Sequence, residues 1–168
     1  MNSAYCEIPK ALEYNPKTGK FKRIGKMPNR AFSGEFSGSK SGCGYLFIGV
    51  NYTRYSAHRL AWFLTFGVFP KLEIDHINGD KTDNRITNLR ECTRQDNSRN
   101  VAISKNNTSG CMGVFWDKQP RKWSARIYID AQSVPLGQYV GYWDAVCARK
   151  AAESKYGFHQ NHGRLKHV

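Results

Sequence analysis

Residues 72–100 read LEIDHINGDKTDNRITNLRECTRQDNSRN, and the alternation of apolar runs with turn formers in this stretch decides the fold. Leu72 to His76 is a short strand-like run, Asn78-Gly79 is a turn signal, and Ile86 to Glu91 supplies a returning strand. Thr93, followed three residues later by Asp96, has the spacing of a helix capping box. The order is therefore strand, loop, strand, short helix. Its chemistry-bearing residues fall at the joints: an Asp75-His76 pair ends the first strand, Asn88 lies on the second, and Asn97 sits one turn into the helix. Asn78, Asp80, Asp83 and Asn84 are residue types that bond their own backbone in turns, and they are expected to do so here.

This segment resembles the HNH nucleases, in particular the homing members encoded by phages and introns. The Asp75-His76 pair, the run GDKTDNRITNL and the Asn97 position, 21 residues after His76, coincide with that family in spacing over about 30 residues. The resemblance implies a ββα-metal site with His76 as the catalytic base. It also implies that Asn88 is no ligand but bonds across the loop and orients the backbone around that histidine.

The residues carry the same chemistry in their own right. Phosphodiester hydrolysis needs a base to deprotonate water, a Lewis acid for the charge growing on the phosphate, and help for the departing 3′ oxygen. A neutral imidazole with a pKa of about 6.5 accepts a proton at physiological pH, which suits His76 to the first task. The Asp75 carboxylate and the Asn97 amide supply hard oxygen ligands, and a shell completed by phosphate and water favours one Mg²⁺ or Mn²⁺ over zinc. Asn100, three residues on, is the rival ligand. Strand alternation turns Asp75 and His76 to opposite sides unless the strand bends or ends there.

Working outward, 168 residues make one domain or two small ones. A hydrophobic fraction of 40%, with nine Tyr, nine Phe and four Trp, supports a packed core and excludes a disordered tail. Twenty-six Lys and Arg against thirteen Asp and Glu leave a net charge of +13, which points to a polyanionic partner and away from an acidic protein substrate. The charge flanks a near-neutral middle: +7 over residues 1–70, +1 over 71–105 and +5 over 106–168. Basic flanks hold phosphate backbone while central carboxylates hold a cation. No window approaches the ~18 apolar residues of a membrane helix. The N-terminus lacks a basic start followed by an apolar run, so the expected location is cytoplasmic, that of a host cell if the protein is phage-encoded. Cys6, Cys43, Cys92, Cys111 and Cys147 form no C-x-x-C pair and read as free thiols.

Before the central stretch, NPKTGKFKRIG and CGYLFIGVNYTRYS read as turns and short basic strands, making residues 1–55 a DNA-contacting region through Lys20, Lys22, Arg23 and Arg54. Ser56 caps a helix over Ala57 to Phe66 that stops at Gly67, and His58 reads as a packed or capping residue outside the chemistry. After a polar stretch at 105–110 that reads as a linker, Gly113 to Trp116, Lys122 to Asp130 and Ser133 to Tyr139 are strand candidates, followed by a helix from Trp143 to Tyr156. The runs GVFWDKQPRKWSARIYID and PLGQYVGYWDAVCARKAAESKYG resemble the plant ethylene-response-factor (Apetala-type) DNA-binding domain over about 50 residues. That resemblance implies a three-stranded sheet in the DNA major groove, with Phe115, Trp116, Lys118, Arg121, Lys122, Trp123, Arg126 and Tyr128 placed for contact. Alternation groups Arg126 with Tyr128 as the better DNA contacts and leaves Trp123 to packing. Met112 and Phe115 stand where plant members commonly carry Arg, which shifts the expected affinity toward phosphate contacts.

These readings describe an α+β protein: a ββα-metal HNH nuclease module at 56–104, and at 111–168 a small three-stranded antiparallel sheet packed on a helix. The expected function is a homing endonuclease that cleaves double-stranded DNA with one divalent cation and a histidine base. A monomer would nick and a homodimer would break both strands, with no membrane involved. The rival from another class is a non-catalytic, sequence-specific DNA-binding regulator.

Overall fold

Turn chemistry organises the first half of the chain. The computed structural model describes residues 6–24 and 34–165. A short helix α1 (Ile8–Ala11) leads into strand β1 (Leu12–Asn15), and the Asn-Pro-Lys-Thr-Gly turn returns the chain as β2 (Lys20–Arg23), pairing Leu12 with Arg23 and Asn15 with Lys20. Strands β3 (Ser39–Lys40), β4 (Leu46–Val50) and β5 (Thr53–Ser56) form a second antiparallel sheet in that order. Asn51 and Tyr52, with φ of 47° and 63°, make the two-residue β4–β5 connection whose twist suits a hairpin.

Helix α2 spans Ala57–Phe66, within the bounds predicted from sequence, although Ser56 makes no side-chain cap bond. It ends because Gly67 adopts φ +75° and returns its N–H to the Phe63 carbonyl, a left-handed turn that costs glycine little. Its Ala57, Leu60, Ala61 and Phe63 join Ile8, Leu12, Phe21, Ile48, Ile74 and Leu89 in one apolar cluster. Fully burying a side chain such as Leu60, at 0% exposure, contributes about 1.5–3 kcal/mol. The cluster thus ties the N-terminal hairpin, α2 and the central stretch together.

The central stretch forms β6 (Glu73–His76) and β7 (Leu89–Cys92), paired antiparallel with Asp75 opposite Arg90 and His76 opposite Leu89. The returning strand starts three residues later than predicted. Ile86–Asn88 is a single 3₁₀ turn, closed by the Asn88 N–H on the Arg85 carbonyl. Helix α3 covers Arg94–Ser98.

Two compact units emerge, residues 1–94 and 95–168. The predicted linker at 105–110 is not where they divide. The 99–103 segment is bound to the chain's C-terminal segment within the second unit: the Ile103 N–H donates to the Arg164 carbonyl, and the Gly163 N–H to the Val101 carbonyl. Residues 105–110 are a compact turn instead, in which Asn107 Oδ1 accepts the Gly110 N–H and Ser109 Oγ donates to the Cys111 carbonyl.

In the second unit β8 (Val114–Asp117), β9 (Lys122–Ile129) and β10 (Gln132–Tyr139) form the antiparallel sheet expected from sequence, with β9 central. Helix α4 (Tyr142–Lys155) packs on it. Val114 and Ala125 of the sheet meet Ala145 of α4 and Cys111, with Trp123, Tyr139, Tyr142 and Val146 around them, so Trp123 is a packing residue. The helix also buries Arg149 and Glu153, whose Nε and Oε1 lie 3.1 Å apart as an ion pair without the angle of a directed hydrogen bond. No helix among the described residues is long and apolar enough to cross a membrane.

Candidate active site

The last residue of β6 is the histidine expected from sequence to act as the base. His76 is only 3% exposed, and its Nε2 lies 3.2 Å from Asn84 Oδ1. His58, on the first turn of α2, stands edge-on to it at 5.3 Å between ring centroids, and Tyr45 lies 5.3 Å from His58 and 6.0 Å from His76. Lys81 caps this group from the loop, with Nζ 4.3 Å from the Tyr45 ring centroid and donating to the Cys43 carbonyl. Burial pushes the His76 pKa below its ordinary value, while the Asn84 hydrogen bond and the Asp75 charge oppose that shift. His58 is pushed down to about 4, first by burial and then by His76. Both rings are therefore neutral at pH 7, the state in which His76 can take a proton.

A pH prediction follows from His58. Its folded pKa of about 4 lies below the unfolded value near 6.5, so the unfolded chain binds the proton first as pH falls. Stability present above pH 6.5 should be lost between there and pH 4, by up to about 3 kcal/mol from this group. Urea midpoints measured across that range should fall more steeply for the wild type than for His58→Phe; equal slopes would remove His58 as the cause.

Asp75 ends up beside a cation. Its Oδ2 accepts from Arg90 Nε at 3.0 Å and Nη2 at 2.8 Å, from directly across the β6–β7 ladder. Asn88 spans the loop: its Oδ1 accepts the Asn78 N–H at 3.0 Å and its Nδ2 donates to the Asp83 carbonyl at 2.8 Å. Asp83 holds Arg85 through both carboxylate oxygens, and Asp80 accepts from Thr82, so these two residues do the turn work expected of them. Asn84 does so only in part: its Nδ2 donates to the Thr82 carbonyl at 3.4 Å, but the residue is 1% exposed and its Oδ1 faces His76. Neither Asn84 nor His58 was assigned to the chemistry from sequence. His58 could have been found from its position at the start of an apolar helix, but no pattern marks Asn84 off from its loop neighbours.

Asn97 is half-buried on α3 in the second unit. Asn100 was expected on the same helix face, but α3 stops at Ser98, and Asn100 Oδ1 accepts from the Arg164 guanidinium at 2.7 Å. The donor chemistry at Asp75 fits a hard divalent cation, because Mg²⁺ is usually held by one or two carboxylates with water and substrate phosphate completing the shell.

The predicted DNA-contact residues differ in availability. Lys20, Lys22 and Arg54 are exposed in the first unit, with Arg54 lying over the Phe47 ring. Arg23 is half-buried and engaged by the fold, donating to the Gly49 carbonyl and lying over Phe36. In the second unit Lys118, Arg121, Arg126 and Tyr128 are exposed and Lys122 half-buried. The Arg126 guanidinium lies 4.8 Å from the Phe115 ring and 5.5 Å from Tyr128, a cation held between two aromatic rings on the open face of the sheet. Beside it a cavity of about 410 Å³ is lined by Arg99, Arg126, Arg149, Tyr128, Phe158 and His162 among others.

The order of this site, a strand ending in a buried Asp-His pair, a loop crossed by an asparagine and a returning strand, has a counterpart among known proteins. Residues 55–99 match the HNH endonuclease family. The matched segment contains Asp75, His76, Asn88 and Asn97, and at its start His58. The chain is also 35% identical to Protein 3.8 of Escherichia phage T7 over 71 residues, which is 42% of this chain and 59% of that relative. No solved structure matches the chain. The likeness to HNH endonucleases is thus confined to residues 55–99, and the chain spans less than two thirds of the curated relative it matches, while the ethylene-response-factor resemblance of the second unit rests on sequence alone.

Proposed function

We propose that this protein is an HNH endonuclease of the homing type that hydrolyses phosphodiester bonds in double-stranded DNA. The observation that carries the reading is the buried imidazole of His76 next to Asp75 at the end of β6, inside the segment that matches HNH endonucleases. His76 takes the proton from the attacking water. Asp75 would hold a divalent cation, Mg²⁺ or Mn²⁺, and Asn97 is its proposed companion by its sequence spacing. When bound, that cation would supply Lewis-acid stabilisation of the phosphate and the leaving oxygen. Asn88 holds the loop in place, and Arg90 restrains the Asp75 carboxylate.

The exposed cations Lys20, Lys22 and Arg54, with Lys118, Arg121, Lys122, Arg126 and Tyr128, bind the duplex. Most of their affinity comes from phosphates, as the net charge of +13 suggests. The second unit binds as an ethylene-response-factor-like sheet, with Arg126 as its leading contact. The setting is the cytoplasm of a phage host, in keeping with a phage relative.

Plasmid relaxation tests the activity. Supercoiled DNA should become open circles with Mg²⁺ or Mn²⁺ and remain supercoiled in EDTA; a linear product would indicate two chains acting together. Intact gel-shift binding without cleavage in either metal would favour a regulator. For the DNA interface, Arg126→Ala should weaken binding, by about 1–3 kcal/mol at one base-pair position if the guanidinium reads a base. Unchanged affinity in gel-shift titrations would move the contact elsewhere.

A further inference from the structure

Strand β9 outruns its neighbour. β8 pairs with it only from Lys122 to Ala125, and just outside that ladder the Gly113 carbonyl takes the Arg126 N–H. Gly113 has φ +77°, and a Cβ there would lie 2.4 Å from the Arg126 carbonyl oxygen and 3.1 Å from Arg149 Nε. Glycine is therefore what lets the Arg149 guanidinium reach the Arg126 carbonyl. From Arg126 onward this edge of β9 borders the cavity of about 410 Å³ instead of another strand. Small-molecule sites span roughly 300–1,000 Å³, so the space suits a small ligand.

Three guanidiniums line the cavity, and aromatic rings position them. Arg99 and Arg149 both lie over Phe158, at 5.4 and 5.5 Å from its centroid, and Arg126 lies over Phe115 and Tyr128. Phe158 is itself fixed, with its N–H on the Glu153 carbonyl and its ring edge-on to His162 at 4.8 Å. Arg149 is engaged by the fold, through the Arg126 carbonyl, His162 and Glu153. Arg99 and Arg126 make no ion pair among the described residues. An aromatic face orients a guanidinium without neutralising it, and two guanidiniums on one ring repel each other until an anion comes near.

The charge of the site is positive. Asp130 is the carboxylate on its walls, and it accepts from Gln95. Behind the walls Glu153 is shared between Arg149 and Lys150. Arg99, Arg126, Arg149 and Lys150 thus stand against Asp130 and Glu153, four cations to two carboxylates. Burial lowers the His162 pKa, so that ring adds no charge at pH 7.

We propose that this cavity binds a phosphate monoester, with Arg99 and Arg126 as its ligands and Arg149 as its buried floor. A monoester carries about −1.5 to −2 at pH 7 and offers three acceptor oxygens, which matches an excess of two positive charges; a backbone diester carries about −1. Its source is a free nucleotide or the end of a strand. The endonuclease reading supplies the second, because hydrolysis that releases the 3′ oxygen leaves the phosphate as a monoester on the 5′ side, but the binding site itself does not depend on that reading.

The experiment is calorimetric titration of the full chain, in metal-free and phosphate-free buffer at neutral pH, with deoxyadenosine 5′-monophosphate and with deoxyadenosine. The monophosphate should bind about 10- to 100-fold more tightly, the usual effect of charge-assisted hydrogen bonds. Arg99→Gln should remove most of that advantage, and Arg99→Lys, which keeps the charge but not the planar fork, should retain part of it. Ala131→Asp places a negative charge on an exposed wall residue whose φ of +64° aspartate tolerates, and it should cause the same loss even if Arg99→Gln folds poorly. Fluorescence anisotropy with two labelled duplexes, alike except for a 5′-phosphate or a 5′-hydroxyl end, separates the sources. Tighter binding of the phosphorylated duplex, relieved by excess monophosphate, identifies a strand end as the ligand; equal binding of the two duplexes beside a preference for the monophosphate identifies a free nucleotide. A monophosphate that binds no better than the nucleoside overturns the proposal, and so does an advantage that survives both Arg99→Gln and Ala131→Asp. Failure of plasmid cleavage would sink the endonuclease reading and leave this result standing.

Discussion

His76→Ala is expected to lose about 10²- to 10⁴-fold in cleavage rate, the usual contribution of a general base, while still binding DNA. The ring is buried, contacts His58 edge-on and Tyr45 at a tilt, and has its Nε2 held, so a water molecule entering the space would be neither oriented nor basic enough to replace it. The substitution also strands Asn84 Oδ1, 1% exposed, at a cost of about 1–3 kcal/mol in stability. A lower thermal midpoint must therefore be separated from lost chemistry, by comparing rates well below the unfolding transition and checking gel-shift affinity. A variant that cleaves at wild-type rate would remove His76 from the mechanism. One that neither binds nor folds would move the comparison to His76→Gln, which keeps a polar group opposite Asn84.

Arg149→Leu should be the most damaging single change to the second unit. Arg149 is 3% exposed, donating from Nη1 to the Arg126 carbonyl and approaching His162 Nε2 with Nη2 at 3.1 Å, while its Nε pairs with Glu153. The His162 ring is set to accept there, because its other nitrogen lies 3.0 Å from the Arg99 carbonyl and must donate to it. Burial lowers the Arg149 pKa, and Glu153 works against that shift. Removing the guanidinium leaves Glu153, at 6% exposure, with Lys150 as its remaining ion-pair partner among the described residues, and takes a donor from the Arg126 carbonyl and from His162 Nε2. Breaking a buried ion pair on one side costs about 3–5 kcal/mol. Tryptophan fluorescence in urea reads this unit well, since Trp116, Trp123 and Trp143 lie in it and Trp62 does not. Arg149→Leu with Glu153→Leu should recover much of the loss, because the stranded carboxylate is gone. If the single variant unfolds at the wild-type midpoint, the pair is not holding the unit together.

The two units also show how far reading along the chain reaches. Helix α2 and the β8–β9–β10 sheet with α4 were legible because their signals are local: a glycine stop, turn residues and two-residue alternation. The start of β7 was missed because the Asn88 N–H closes a 3₁₀ turn on the Arg85 carbonyl, a bond that competes with an otherwise strand-like pattern. The division between units was missed for a different reason. A polar stretch looks like a linker, and nothing local announces that Val101 and Ile103 pair with a segment some 60 residues away.

The sequence by itself determined the residue types of the candidate site and their order: Asp75 and His76 ending a strand, Asn88 in the stretch that returns beside it, Asn97 beyond. It also determined the net charge of +13, which suits a polyanionic partner. Those properties belong to single residues and short spacings, and they survive in an unfolded chain. Tertiary structure alone decided which neighbours His76 and Asp75 have. Arg90 reaches Asp75 through strand register, Asn84 reaches His76 because the loop folds inward, and His58 arrives from a helix 18 residues earlier in the chain. Such contacts depend on burial and on the convergence of separate elements, and it is burial that lowers the His76 pKa and keeps the ring neutral.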